Sequence, residues 1–196
     1  MFSFCCDYLG FKISAEGIKM QPKYLSTITK YKIPKNSVTL KNFLGVCQYF
    51  ASQAPALHRY TARLYEAANR KIEKGKTWEL SREEKLDFFH AKLCFLRSDG
   101  LGFPDLSNLQ ENPLRLWNDF STLSISSILT QVQKDRNGNY RDVLIGVFGR
   151  KCPKVLQSAS SAVGESHALC FGLMKYQQLL QLGVFDIFRT TSILNF

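Results

Sequence analysis

The stretch LRLWNDFSTLSISSILTQ, residues 114–131, decides the fold of the second half of the chain. Its two apolar runs, LRLW and SISSILTQ, have the composition of β-strands. One acid, Asp119, lies between them. A lone acid in this position is either a turn residue, whose side chain hydrogen-bonds the nearby backbone, or a metal ligand at a strand end. The stretch by itself leaves both interpretations open.

The residues that follow predict a layer of strands and one helix. DRNGNYRD contains Asn137-Gly138, a strong hairpin signal, and VLIGVF reads as a third strand. A helix is predicted over 165–182, and VFDIF reads as a fourth strand. The helical residues expected to face inward are Leu169, Leu173, Tyr176 and Leu180. The second half is therefore predicted to be a βββαβ layer with a helix on one face of the sheet.

The first half predicts a β-hairpin and then helices. Residues 2–20 read as the hairpin, with a turn at 15–17. Three helical segments follow, at 22–31, from Thr39, and after a capping box formed by Ser81 and Glu84. The apolar residues expected on the buried face of the third segment are Leu86, Phe89, Leu93 and Leu96. The predicted fold class is α+β, with a small helical bundle between the hairpin and the layer.

Composition limits the class of protein. The chain has 196 residues, of which 45% are hydrophobic, and this indicates a globular protein. It contains no uncharged apolar run of about 18 residues, and its beginning lacks the basic region of a secretory signal. We therefore expect an intracellular protein that is neither secreted nor membrane-bound. The six cysteines show no C-x-x-C spacing, so no zinc site is predicted.

Positive charge is concentrated in the first half. Thirteen Lys or Arg residues and three Glu lie between Lys12 and Lys76, an excess of ten that equals the net charge of +10 for the whole chain. Lysines displace counterions from phosphates, so this region suits a polyanion, although a solvated basic face explains it equally well. The candidate nucleic-acid-binding residues are Lys19, Lys23, Lys30, Lys32, Lys35 and Lys41. Interleaved aromatic residues, which could lie against sugars or bases, are Tyr24, Tyr31, Tyr49, Phe50 and Tyr60.

Several motifs, in order, resemble one family. YLGFKISAEGIKMQPKYLSTITKYKIPKNSVTLKNFLGVCQYF resembles the stretch of LTR-retrotransposon polyproteins, gypsy-like or Pao-like, from the primer grip of the reverse transcriptase into its thumb. WELSREEKLDFFHAKLCF resembles the helix between thumb and RNase H, and LGFPDLSN the tether after it. PLRLWNDFSTLSISSILTQ resembles the first two RNase H strands. The resemblance implies a palm-end hairpin (1–20), a thumb-like domain (21–97), a connector (98–112) and a truncated RNase H-like domain (113–196).

The resemblance also implies an interpretation of Asp119. RNase H domains hold two magnesium or manganese ions on acidic residues to cleave a phosphodiester. Asp119 matches the first catalytic Asp and Glu165 the catalytic Glu, whereas Thr190 occupies the position of the third acidic ligand. Taken alone, Glu165 reads better as a first-turn acid that answers the helix dipole. With the third ligand replaced and the fourth expected past Phe196, the resemblance implies weak metal binding and severely impaired cleavage.

Three hypotheses for function follow. The first is sequence-independent binding of RNA–DNA hybrid or duplex by the thumb-like half, with catalysis lost, because the polymerase carboxylates of the family precede the primer grip. The second is a functional part of an RNA-directed DNA polymerase/RNase H polyprotein. The third is a domesticated protein-interaction module that offers a free sheet edge. A bare edge also predicts self-association through residues 184–196.

Overall fold

The computed structural model describes residues 5–71, 75, 77–135 and 137–189, and only the backbone of Arg189. The chain has the predicted α+β fold. Its elements are β1 (Cys5–Tyr8), β2 (Phe11–Ser14), β3 (Gly17–Met20), α1 (Pro22–Thr29), α2 (Ser37–Tyr49), α3 (Leu57–Asn69), α4 (Arg82–Leu96), β4 (Leu114–Phe120), β5 (Ser124–Lys134), β6 (Tyr140–Lys151), α5 (Ser161–Leu180) and β7 (Phe185–Arg189). Single 3-10 turns lie at Ala51–Gln53 and Lys154–Leu156.

The predicted hairpin at 2–20 is a three-stranded antiparallel sheet in the order β1-β2-β3. The turn between β2 and β3 lies where it was predicted, and Gly17 there has a φ of +130°. The sequence prediction missed the turn between β1 and β2, at Leu9 (φ 46°) and Gly10 (φ 88°). A leucine at positive φ is uncommon, so its side chain gives no turn signal.

The described part of the first half contains four helices, not three. Pro22 opens α1 as predicted, and Asn36 and Thr39 form a capping box at the start of α2. The sequence prediction missed α3. The buried face of this helix consists largely of small or polar side chains, which a search for large apolar residues passes over. These buried residues are Leu57, Thr61, Ala62, Leu64, Ala67 and Ala68.

The capping box of α4 is confirmed, but its predicted buried face is wrong. Ser81 N donates to Glu84 Oε2 at 2.8 Å, and Glu84 N donates to Ser81 Oγ at 3.2 Å. The four residues expected to be buried are exposed: Leu86 by 51%, Phe89 by 45%, Leu93 by 40% and Leu96 by 55%. The helix instead buries Glu84, Phe88, Ala91 and Phe95. An acid on this face is accommodated because Arg70 pairs with Glu84 at 3.0 Å.

The predicted βββαβ layer is confirmed. Its sheet has the order β6-β5-β4-β7, in which β4 and β7 are parallel and the other neighbours antiparallel. α5 covers one face and begins at Ser161, four residues before the predicted start. Two glycines let α5 approach the sheet closely, because a Cβ on Gly164 would meet Phe120 and one on Gly172 would meet Asn118 and Ser127.

The hairpin between β5 and β6 is confirmed, and its loop is longer than a two-residue Asn-Gly turn. Residues 135–139 connect the strands, with Gly138 at a φ of +86°. The carboxylate of Asp135 accepts hydrogen bonds from the backbone of Asn137 at 2.8 Å and of Asn139 at 2.9 Å. Asp135 therefore organises the loop, and residue 136 lies outside the described part of the chain.

Residues 98–112 join the two halves. The backbones of Ile18 and Leu101 exchange hydrogen bonds of 2.7 and 2.9 Å, and Gly102 N donates to Leu144 O in β6 at 2.7 Å. Gln131 in β5 is fully buried and bonds the backbone of Asp105. The helix α3 packs on the sheet face opposite α5, at β5 and β6. None of the helices described is long and apolar enough to cross a membrane.

The predicted self-association surface is only partly exposed. β7 is an edge strand. Val184, just before this strand, is 44% exposed, and Ile187, within it, is 51% exposed. Phe185 packs on the core of the second half, and the Phe188 ring stacks on Trp117 with centroids 4.4 Å apart. Residues 190–196 lie outside the described part. Self-association therefore stays a prediction.

Measurements of the free energy of unfolding can test which face of α4 is buried. Phe88 is fully buried with its ring 4.5 Å from the Phe43 ring, so Phe88→Ala should lower the free energy of unfolding by about 3–5 kcal/mol. Leu93→Ala should cost under about 1 kcal/mol, because Leu93 is 40% exposed. Urea unfolding followed by circular dichroism measures both. The reverse order of costs would show that the sequence-based face was right.

Candidate nucleic-acid interface and acidic site

Asp119 lies on β4 with its side chain directed away from α5. The neighbouring side chains Asn118 and Phe120 face α5, since they are what a Cβ on Gly172 and Gly164 would meet. Successive side chains of a strand point to opposite faces. Asp119 is therefore on the face covered by α3, where Arg59 interacts with it electrostatically. The polar residue that faces α5 at this end of β4 is the neutral Asn118, whose Oδ1 accepts from Ser127 Oγ at 3.0 Å.

Burial raises the pKa of the Asp119 carboxyl above its ordinary value, and the guanidinium of Arg59 opposes this rise. Desolvation penalises the charged form, so it is the larger of the two effects here. The positive charge of Arg59 therefore offsets part of the cost of burying this carboxyl.

Glu165 lies on α5, on the other side of the sheet. It is partly buried and follows Gly164, which packs on Phe120. The alternative interpretation of Glu165 as a first-turn acid is wrong, because α5 begins at Ser161 and has no acidic residue in its first turn. The two carboxylates that the resemblance joined in one site are therefore carried on opposite sides of the sheet.

The described residues add no acidic cluster to Asp119 and Glu165. Within residues 5–71, 75, 77–135 and 137–189, no group of three or more His, Cys, Asp or Glu side chains could hold a metal ion. Thr190, predicted at the third ligand position, lies outside this part of the chain. Magnesium or manganese binding at Asp119 and Glu165 stays a prediction that this geometry does not favour.

The six candidate lysines are all exposed. Lys19 is on β3, Lys23 is in the first turn of α1, Lys30 is at its C-cap, and Lys32, Lys35 and Lys41 run through the loop into α2. Among the residues that the structure describes, none of the six has a carboxylate within 4.0 Å. Their charges are therefore available to an external anion.

The small sheet places a further lysine, Lys12, beside Lys19. Lys12 and Lys19 are directly opposite each other on β2 and β3, so both exposed ammonium groups lie on the same face. Like charges at such a position repel. Lys12 has a second neighbour across the strands, Asp7 on β1, and this carboxylate offsets one of the two positive charges. Binding of a phosphate would relieve the remaining repulsion.

The aromatic residues predicted to contact sugars or bases mostly serve the core instead. Phe50 is buried, and Tyr24, Tyr31 and Tyr60 pack against the helical core. Tyr49 is 53% exposed, and its hydroxyl donates to Leu9 O at 2.7 Å. This tyrosine alone among the five offers a large exposed ring.

A second group of basic and aromatic residues was not predicted. It lies where β6 meets α5 and is named here the cation–aromatic patch: Phe148, Arg150, His167, Phe171 and Lys175. Arg150 Nη2 is 2.7 Å from His167 Nε2. Its guanidinium lies 4.8 Å from the Phe171 ring centroid, and Lys175 Nζ lies 5.3 Å from that of Phe148. The only sequence signal for this patch is the spacing of four residues between His167, Phe171 and Lys175 along one helix.

The environment of Asp119 predicts a pH-dependent effect of its removal. The pKa of the Asp119 carboxyl is raised in the folded protein, whereas in the unfolded chain this carboxyl ionises near its ordinary value of 3.8. The folded protein therefore loses stability as the pH rises from that value through the folded-state pKa. Asp119→Asn removes this loss. The free energy of unfolding of Asp119→Asn, minus that of the natural sequence, should therefore be more positive at about pH 7 than at about pH 3. The variant is thus relatively more stable at the higher pH. Asp99→Asn, in an exposed loop, is the control, and a pH-independent difference for Asp119→Asn would contradict the burial argument.

Similar proteins were found by sequence. No protein-family model matches the chain. It is 28% identical over 176 residues to the retrovirus-related Pol polyprotein from transposon opus of Drosophila melanogaster, covering 85% of this chain and 16% of that protein. It is 23% identical over 174 residues to the transposon Tf2-3 polyprotein of Schizosaccharomyces pombe, covering 89% of this chain and 12% of that protein. The chain thus spans under a fifth of these relatives.

Solved structures share the fold. A foamy viral protease-reverse transcriptase in complex with RNA/DNA hybrid superposes with a TM-score of 0.68 at 13% identity, over 97% of this chain and 24% of that one. The same enzyme in complex with dsDNA also gives 0.68, at 14% identity, over 95% of this chain and 36% of the other. The order of β-sheet, helices and mixed sheet is therefore that of a retroviral type of reverse transcriptase. This chain is homologous to one segment of the polyproteins of LTR retrotransposons.

Proposed function

We propose that this chain binds RNA–DNA hybrid or duplex through the basic face of its helical half, with little sequence preference. The observation that carries the proposal is the run of six exposed lysines between Lys19 and Lys41, none of which has a carboxylate partner among the described residues. Lysine contacts to phosphates release condensed counterions, which drives binding without reading sequence. A uniform basic face lacks the base-specific side chains that sequence recognition requires.

The arrangement of the lysines supports a backbone ligand. They follow the chain from β3 across α1 to the start of α2, so they extend along one continuous part of the helical half. The opposed pair Lys12 and Lys19 on β2 and β3 extends the same charge onto the small sheet. A nucleic acid brings phosphates at regular spacing, which one small anion does not. The number of exposed lysines in this one stretch of the chain therefore favours a polymer as their ligand.

The fold supports the same ligand. The foamy viral enzymes that share this fold were solved with RNA/DNA hybrid and with dsDNA. Their likeness to this chain covers both halves and the connector between them. The proposal transfers only the class of ligand, and the lysines of this chain supply its own contacts.

We propose further that this chain does not cleave the nucleic acid it binds. Cleavage by two metal ions needs several ionised oxygens around one position. Asp119 instead faces Arg59 on one side of the sheet, and Glu165 lies on α5 at the other. The segment could still serve a polymerase and RNase H polyprotein, in which other segments would supply the catalysis.

One observation favours a second candidate function, binding to another protein. The exposed apolar stripe of α4, formed by Leu86, Phe89, Leu93 and Leu96, has the spacing of three and four residues that pairs with another helix. Co-purification of a partner that survives nuclease treatment and is lost in Leu93→Gln would support this function. It is compatible with nucleic-acid binding, because the stripe and the lysines occupy different elements.

The salt dependence of binding tests the main proposal. With roughly four to six phosphates contacted, the logarithm of the association constant should fall with the logarithm of salt concentration at a slope of about −4 to −5. The triple variant Lys30→Glu, Lys32→Glu, Lys35→Glu should bind a blunt hybrid at least about tenfold more weakly. Fluorescence anisotropy over a salt series measures both quantities.

The matched control for this experiment changes three cations of the other half. Lys134→Glu, Arg141→Glu and Lys154→Glu alter the net charge equally and lie outside the helical half. If both triple variants weaken binding by the same factor, only net charge matters and the proposed face is wrong. A slope near zero for the natural sequence would contradict backbone binding altogether.

Cleavage is tested directly on the same hybrid. Incubation with magnesium or manganese should leave the RNA strand intact on a denaturing gel, because the described residues assemble no acidic cluster. The melting temperature should respond to these ions equally in the natural sequence and in Asp119→Asn. Metal-dependent cleavage that Asp119→Asn abolishes would show that the inherited site is functional.

A further inference from the structure

We infer that the cation–aromatic patch binds single-stranded nucleic acid that continues from the duplex held by the helical half. The inference rests on the proposed function for the duplex part of its ligand. The patch itself is a separate surface, on β6 and α5, whereas the candidate lysines are on β3, α1 and α2. Its residues combine three cationic or titratable side chains with two phenylalanine rings.

The patch residues share one side of the sheet. A Cβ on Gly146 would meet Tyr176 of α5, and a Cβ on Gly149 would meet His58 of α3. Side-chain alternation along β6 therefore directs Phe148 and Arg150 to the α5 side. On α5, His167, Phe171 and Lys175 follow at intervals of one turn and lie beside them. The five side chains form one surface across the junction of strand and helix.

The contacts within the patch hold its cations above its rings. A guanidinium only donates hydrogen bonds, so Arg150 Nη2 donates to His167 Nε2 over 2.7 Å. This bond fixes the guanidinium 4.8 Å from the Phe171 centroid. Lys175 Nζ lies 5.3 Å from the Phe148 centroid and 5.8 Å from that of Phe171. The positive charges are thus placed before any ligand arrives.

The charges of the patch are uncompensated. Among residues 5–71, 75, 77–135 and 137–189, neither Arg150 nor Lys175 has a carboxylate within 4.0 Å. Both side chains are exposed, and the Phe148 ring is 42% exposed. An anion with an aromatic portion would satisfy the cations and cover the ring together. A nucleotide with an unstacked base has this chemistry.

A single strand suits the patch better than a duplex. Base-to-aromatic stacking needs a base whose face is free, and the faces of bases inside a duplex are already stacked. β6 is an edge strand, so the patch lies at the border of the sheet where an extended strand can pass. The ion pair of Lys151 with Glu66, at 3.0 Å, ties β6 to α3. This contact places the patch beside the helical half.

The experiment compares two labelled probes on the full chain. One is a blunt RNA–DNA hybrid, and the other is the same hybrid with a single-stranded DNA extension. Fluorescence anisotropy gives the affinity for each, and their ratio is the gain from the extension. The variants are Phe148→Ala, Phe148→Leu and the double variant Arg150→Gln, Lys175→Gln. The matched control is Lys134→Gln, a lysine on β5 whose Nζ lies 5.9 Å from the Tyr140 ring.

In the natural sequence the extension should raise affinity. Phe148→Ala and Phe148→Leu should each reduce the gain by about fivefold or more, the lower end of what one base–aromatic contact contributes. The double variant should also lower the salt slope for the extended probe by about 1.4, since each contact to a single strand contributes about 0.7. All variants should bind the blunt hybrid unchanged, and unchanged melting curves confirm that they fold.

Each outcome decides one proposal. The single-strand site is wrong if the blunt hybrid binds and the extension gives no gain in affinity. It is also wrong if every variant retains the gain. Both results leave the proposed function standing. A gain that Lys134→Gln reduces as much as the patch variants also overturns it. If the blunt hybrid is not bound but the extended probe is, through the patch, the proposed function fails and the single-strand site is supported.

Discussion

The backbone hydrogen bonds of residues 100–102 are the constraint on which the arrangement of the molecule depends. Through them the connector pairs with β3 at Ile18 and with β6 at Leu144, so one short segment is bonded to both sheets. Close approach at Gly100 and Gly102 permits this, because a Cβ at either would collide with Ile18 O or Val143. With the sheets tied, α3 packs on the open face of the second sheet, and the basic and cation–aromatic surfaces keep a fixed relation.

Side-chain alternation on β4 shows what the sequence could and could not predict about the site. The strand, its partner and the following βαβ order were predictable, because apolar runs and turn residues mark them. The direction of the Asp119 side chain was predictable too. Every second side chain of a strand lies on the same face, so Asn118, not Asp119, shares the buried face of Leu114 and Leu116. The family resemblance assigned a role to the acid by its position in the sequence. Its environment depends on Arg59 of α3, a helix that the sequence did not predict.

The errors in the first half have a common physical origin. α4 carries apolar side chains on two faces, so periodicity alone could not select the face that Phe88 and Phe95 bury. The choice depends on Arg70, which neutralises Glu84 and lets that face enter the core. In α3 most of the buried side chains are small or polar, so large apolar residues do not mark the helix in the sequence. The face that α4 buries depends on packing partners distant in the sequence, whereas the cap at Ser81 and the turns at 15–17 and 137–138 are local and were predicted.

Asp119 lies near a cation of the other half of the chain. A lone buried acid destabilises a fold unless a partner offsets its desolvation. Here Arg59, which belongs to the basic half, interacts with an acid that belongs to the RNase H-like sheet. The two residues therefore lie where the halves meet, and there Lys151 and Glu66 form an ion pair in the opposite sense. Arg59 offsets only part of the cost of burying Asp119, so the contact between the halves tolerates this acid because a cation of the other half lies near it.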